Sequence, residues 1–149
     1  MGYSTGEALI QTRIIAVSNF DSANTSRSNW KLLNDGTSDH YAILRPGEFF
    51  QDMLTMCTKV THWTTVVELW QRVDDDYTGA RTDLYARVAD LMGIESYPKL
   101  GDTTGAIQEN AMFEGAAEPQ EVQVASGSYW LRWELRIKWN EETEISFSE

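Results

Sequence analysis

Residues 129–140 read YWLRWELRIKWN, and apolar and polar side chains alternate along this stretch. Tyr129, Leu131, Trp133, Leu135, Ile137 and Trp139 fall on one side of an extended chain; Trp130, Arg132, Glu134, Arg136 and Lys138 fall on the other. Successive side chains of a strand point to opposite faces, so the pattern predicts a β-strand with one buried face and one charged face around a tryptophan. At about 3.3 Å per residue it extends roughly 36 Å, about twice the usual strand. Such a strand suits a sheet whose second face meets a helix or another subunit.

Working outward, residues 60–73 (VTHWTTVVELWQRV) predict a second long strand, rich in β-branched and aromatic residues, with Trp63, Thr65, Val67, Leu69 and Val73 on its more apolar face. Residues 40–44 (HYAIL) predict a short strand ended by Pro46-Gly47, whereas the apolar residues of 48–59 suit neither period. Candidate strands at 106–113 and 121–124 precede a turn at Ala125-Ser126-Gly127-Ser128. Two helices are expected. The first is capped by Ser4 with Glu7 reaching back, and places Leu9, Ile10, Ile14, Val17 and Phe20 on one face. The second follows Asp74-Asp75-Asp76, carries the stripe Tyr77, Ala80, Leu84, Val88 and Leu91, and ends at Gly93 as a left-handed cap. Residues 21–39, rich in Ser, Asn and Asp, predict a long loop with Trp30 as its anchor. Strands in runs, with only two helices, predict a single α+β domain over residues 1–149: an antiparallel or mixed sheet of about four to five strands with both helices on one face. The other face, bearing Trp70, Trp130, Arg132, Arg136 and Lys138, is then left for solvent or a partner.

Composition is that of an ordinary globular chain, with 42% hydrophobic and 23% charged residues. No run approaches the roughly 20 apolar residues of a membrane-spanning helix. Residues 1–10 lack the basic-then-apolar pattern of a secretory signal, and Gly6 stands where a myristoylation pattern requires Ser or Thr. One cysteine, Cys57, excludes an internal disulfide and suggests a reducing, cytoplasmic setting. Of the net charge of −11, residues 1–73 contribute −1 and residues 74–149 contribute −10. Such a surface attracts neither phosphate backbones nor anionic lipid.

The motifs that carry chemistry fail on context. Gly2-Tyr3-Ser4-Thr5-Gly6 matches G-x-S-x-G, but the nucleophile elbow needs a preceding strand and only Met1 stands before Gly2. Asp74, Asp76, Thr78 and Gly79 open like a calcium loop, yet position twelve is Tyr85 instead of a bidentate glutamate. Cys57 and His62 form no zinc ligand set, and are expected as a buried thiol and a surface histidine. No catalytic group, cofactor site or metal site is expected.

The capped N-terminal helix, the strand HYAILRPG, the long strand VTHWTTVVELWQRV, the helix TDLYARVADLMG and the Trp-rich last strand together resemble the tail terminator proteins of long-tailed bacteriophages. Related neck, head-completion and minor tail proteins share this layout. The resemblance implies a virion structural protein without chemistry, assembled in the host cytoplasm. In that family a ring, typically a homohexamer, ends tail-tube polymerisation and joins tail to head. Its partners would be further copies of itself, the tail tube protein and the head-tail connector or stopper, with DNA only in passage and no membrane. The expected interface residues are Trp70, Trp130, Arg132, Glu134, Arg136 and Lys138. Asp74, Asp75, Asp76, Asp83 and Asp90 are the candidates to line the bore. A different class, a small ligand- or peptide-binding domain, would use the tryptophan-bearing face as its pocket.

Overall fold

A computed structural model describes residues 2–116 and 118–145. In chain order its elements are α1 (Tyr3–Ile15), β1 (Thr25–Arg27), α2 (Leu32–Asp35), β2 (His40–Thr55), β3 (Thr58–Val73), α3 (Tyr77–Met92), β4 (Met112–Ala116), β5 (Gln120–Gln123) and β6 (Tyr129–Glu144). The α+β class is as expected. Six strands form one mixed sheet in the order β1-β2-β3-β6-β4, with β5 also paired to β6, and only the β1–β2 pair is parallel.

Strands β3 and β6 run antiparallel from Thr58↔Glu144 to Val73↔Tyr129 without a register shift. Because side chains alternate, this register turns Val67, Leu69, Val73, Leu131, Leu135, Ile137 and Trp139 toward one face. There they meet Ile10 and Ile14 of α1 and Leu84, Val88 and Leu91 of α3, all buried in the main core. Helix α3 starts where the acidic run predicts, with an Asp76 carboxylate oxygen accepting the Gly79 N–H at 2.9 Å. Helix α1 lies so close to β6 that a Cβ on Gly6 would stand 2.0 Å from the Trp139 ring. That contact explains a glycine of the G-x-S-x-G stretch by packing alone.

Several local expectations give way to tertiary contacts. Ser4 and Glu7 form no capping box: α1 begins at Tyr3 with Gly2 as N-cap and no side-chain cap bond. Glu7 is instead buried, taken by the Tyr3 hydroxyl and the Arg27 Nε, each at 2.6 Å. Burial and the Glu7 bond together push the Tyr3 phenol well above its ordinary pKa. Gly93 is right-handed (φ −58°) and leads into a 3-10 turn instead of a left-handed cap. The 21–39 segment contains β1 and α2, and Trp30 does anchor it, donating its indole N–H to Glu68 at 3.0 Å. The expected strand at 106–113 is displaced to β4, with Ile107 making one bridge to Glu141.

Two corrections matter for function. First, β2 does not end at Pro46-Gly47. The chain bulges between Pro46 and Phe49 and continues to Thr55, so residues 48–59 form a hairpin arm with the start of β3. Second, the outer sheet face is covered over one half. Leu33 of α2 closes over Tyr41, Ile43, Trp70 and Trp130, with Leu32, Val122 and Val124 packed against them, making a second, smaller core. Trp130 is 0% exposed and Trp70 5%. The Arg72 guanidinium lies 5.1 Å from the Trp130 ring centre, a cation–π contact.

Trp130 is therefore a folding residue. Trp130→Ala should cost about 3–5 kcal/mol of stability, read as a lower urea midpoint. A loss under about 1 kcal/mol, with impaired association, would mean that the second core contributes little.

Candidate interaction surface

On the outer face, next to the second core, lies a cluster of four charges. Glu68 is buried, and one carboxylate oxygen accepts from the indoles of Trp30 and Trp70 at 3.0 and 3.2 Å and from Arg132 Nε at 3.2 Å. The other accepts from Arg45 Nε at 2.6 Å. Glu134 joins Arg45, at 2.5 Å, and also Arg132. Burial alone would raise the Glu68 pKa, but the bonds from Arg132, Trp30 and Arg45 outweigh it and hold the carboxyl below its ordinary value. Arg132 and Glu134 are thus committed within one copy.

Of the six residues expected at an interface, Trp70 and Trp130 are withdrawn into the second core, and Arg132 and Glu134 are neutralised beside it. Only Arg136 and Lys138 lie on the open half of this face; Arg136 pairs with exposed Glu48 at 3.0 Å and Lys138 donates to Thr64 at 2.8 Å. The lumen candidates divide similarly. Asp74, Asp75, Asp76 and Asp83 line a shallow cleft of about 310 Å³ together with Arg72. Asp90 lies farther along α3, 3.8 Å from Arg87 and accepting from Asn19 at 2.9 Å.

The arm holds the apolar surface that sequence reasoning missed. Phe49, Phe50, Met53 and Leu54 are each about 60% exposed and Met56 is 84% exposed. Phe50 lies flat on His62, with ring centres 4.4 Å apart, on the outer face, while Phe49 leans on Trp63 at 5.1 Å on the core side. Both sides of the hairpin are therefore apolar. Beyond Leu44, β2 has β3 as its only strand neighbour among the described residues. Five large apolar residues within the eight from Phe49 to Met56 were the available signal, but an arm greasy on both faces has no period to detect.

A second feature lies at the far end of the sheet. Tyr77, Arg81 and Tyr85 of α3, with Pro119, Glu121 and Leu131, enclose a cleft of about 520 Å³. Tyr85 meets Trp133 edge-on at 5.5 Å and accepts from Arg81 at 3.3 Å. A hydrogen bond to Glu121 holds the Tyr77 phenol up at about 12.

The chemical motifs find no support in geometry. The Ser4 hydroxyl, exposed in the first turn of α1, accepts from Arg27 at 2.8 Å. Among the described residues no three carboxylates, histidines or cysteines gather as a metal site, and no helix is long and apolar enough to cross a membrane. Cys57 is exposed at the arm's tip, not buried as expected, because the hairpin projects its turn beyond the core. His62 is partly exposed, 3.2 Å from Asp52.

The Glu68 cluster sets a pH dependence. A carboxyl whose folded pKa lies below its ordinary 4.5 contributes stability that is complete above that value and is lost as pH falls through the folded pKa. Urea midpoints should therefore decline below about pH 4.5. Glu68→Gln should flatten that decline and cost about 1–3 kcal/mol at neutral pH, because it weakens the bonds at the buried carboxylate and leaves two arginines sharing Glu134. An unchanged acid profile in the variant would remove Glu68 as its source.

No protein-family model matches the chain, and no curated protein proves similar to it.

Proposed function

We propose that this chain is a structural virion protein that assembles with copies of itself at the head-proximal end of a phage tail. There it would form a ring that ends tube polymerisation and joins tail to head. The observation that carries the self-assembly is the arm. Five large apolar side chains on an exposed edge hairpin are costly to leave in water and useful only against another surface. The tail-terminator assignment rests on the resemblance in element order and texture. Other neck and head-completion components would assemble by the same surface, and their attachment point on the virion separates them.

The acidic surface supports a passive relation to DNA. Asp74, Asp75, Asp76 and Asp83 cluster on exposed positions, and a bore lined by them would repel phosphates weakly and evenly, letting DNA slide. Arg136 and Lys138, on the open outer face, are left for protein contacts.

Light scattering and negative-stain imaging test the ring. The expected particle is a closed annulus, six copies of the 17.0 kDa chain in the hexameric case, that caps growing tail tubes at one end. A protein that leaves tube length unchanged and never closes, alone or on a tube end, would sink the proposal. Duplex DNA at low salt should give no measurable complex, and tight, salt-sensitive binding would overturn the passive role.

A further inference from the structure

We infer that the arm of one copy inserts into the Tyr77–Tyr85–Leu131 cleft of a second copy of this chain. This rests on the self-assembly proposed above and adds to it the two surfaces that meet.

The arm is large enough to demand a partner. Taking roughly 200 Å² for a large side chain, Phe49, Phe50, Met53, Leu54 and Met56 expose on the order of 600 Å². That is the upper end of the largest patch on a typical monomer and most of the roughly 800 Å² each partner contributes to a standard interface. Strand β6 holds the other edge of β3 as far as Glu144, so the surface on offer is the outer edge of β2 with apolar side chains on both of its faces; a flat contact would leave one face wet, whereas a cleft takes the edge from both sides.

The cleft is preformed to receive it. Tyr77 and Tyr85 stand two turns apart on α3, about 12 Å along the helix. Arg81 and Trp133 hold Tyr85, so one wall of the cleft is already ordered before binding. Its size falls within the roughly 300–1,000 Å³ of ordinary binding clefts. Methionine suits such walls, since its thioether adapts in shape and is attracted to aromatic rings.

Charge selects this pairing over others. The chain carries −11 overall, and two copies meeting through Asp74–Asp83 surfaces would set acid against acid. Residues 49–59 carry one acid and one base, Asp52 and Lys59, and are neutral. Around the cleft, Arg81 stands with Glu118 and Glu121. Asp52 against Arg81, with Lys59 toward the glutamates, places opposite signs together.

Distance makes the contact intermolecular. The arm faces β3 from Thr58 to Trp63 and the cleft's Leu131 lies opposite Gln71, so eight to thirteen steps of strand separate them by about 26–43 Å. A copy cannot fill its own cleft.

The single cysteine provides the test, because exposed Cys57 at the arm's tip accepts a photo-cross-linker at one defined site. Irradiating the labelled wild-type protein should give a band of twice the chain mass, with adducts in tryptic peptides 73–81 or 82–87, or at residues 118–131 of peptide 100–132. Adducts confined to another arm, adducts only with a foreign protein in lysate, or none at all would each overturn the proposal. Met53→Asp and Tyr85→Asp, both at exposed positions, should keep the wild-type melting temperature yet fail to assemble separately. Mixed, they should recover a one-to-one pair, since one intact arm then meets one intact cleft. Failure of the mixture to pair would also overturn it. The mass of the wild-type assembly judges the ring separately. A reciprocal dimer carrying the cross-link upholds this docking and sinks the ring, while a ring with adducts elsewhere does the reverse.

Discussion

The unbroken pairing of β3 with β6 is the constraint on which the rest of the molecule depends. Sixteen residue pairs share one register, so a slip of one position would move Leu131, Leu135 and Ile137 to the charged side and Arg132 and Glu134 into the main core. Two buried surfaces and a charge cluster all point to the same alignment. Helices α1 and α3 read it on one face, the tryptophan cluster reads it on the other, and Glu68 meets both arginines only when Arg132 and Arg45 flank β3 in this frame. Buried charge is weak evidence for stability in itself, but here it penalises every neighbouring register.

How much of this the chain discloses locally depends on period. Strands β3 and β6 and helix α3 are legible because each has one greasy and one polar side over many residues; in YWLRWELRIKWN the alternation holds from Leu131 to Trp139, while Tyr129, read as buried, is exposed and Trp130, read as outward, is fully buried. What covers the charged face is not legible. Its lid is the four-residue α2 and the four-residue β5, too short to carry a repeat, so Trp130 and Trp70 look exposed until the chain is closed in three dimensions. The arm is hidden for the opposite reason, being apolar on both sides. Pro46-Gly47 reads as a terminator, yet a bulge absorbs the irregularity and Pro46 still pairs opposite Thr65. At Glu7 a local cap loses to Arg27 and Tyr3, which offer a buried carboxylate stronger partners than a helix end does. The acidic run fares better, because a helix start and a solvated aspartate need nothing from the rest of the fold.

Along its outer face the sheet thus changes character in three zones: a dry aromatic end, a band of paired charge, and an open end that continues into the arm. The band separates surface used for folding from surface left over. Substitutions on its dry side should be felt as stability, and those on its open side as association, within the same two strands.

The order in which the chain emerges from the ribosome adds a further constraint. Strand β6 occupies the middle of the sheet but is the last of the six to be made. During synthesis β3 therefore waits with one edge unpaired while the arm beside it is already apolar on both sides. At about 5–20 residues per second, the seventy-odd residues from Val73 to Glu144 take several seconds to translate. For that interval a nascent chain resembles an open sheet edge carrying an adhesive tip, and neighbouring ribosomes on one message would hold such tips close together. Short-lived chaperone cover over residues 49–73, released when β6 docks, is what this topology calls for.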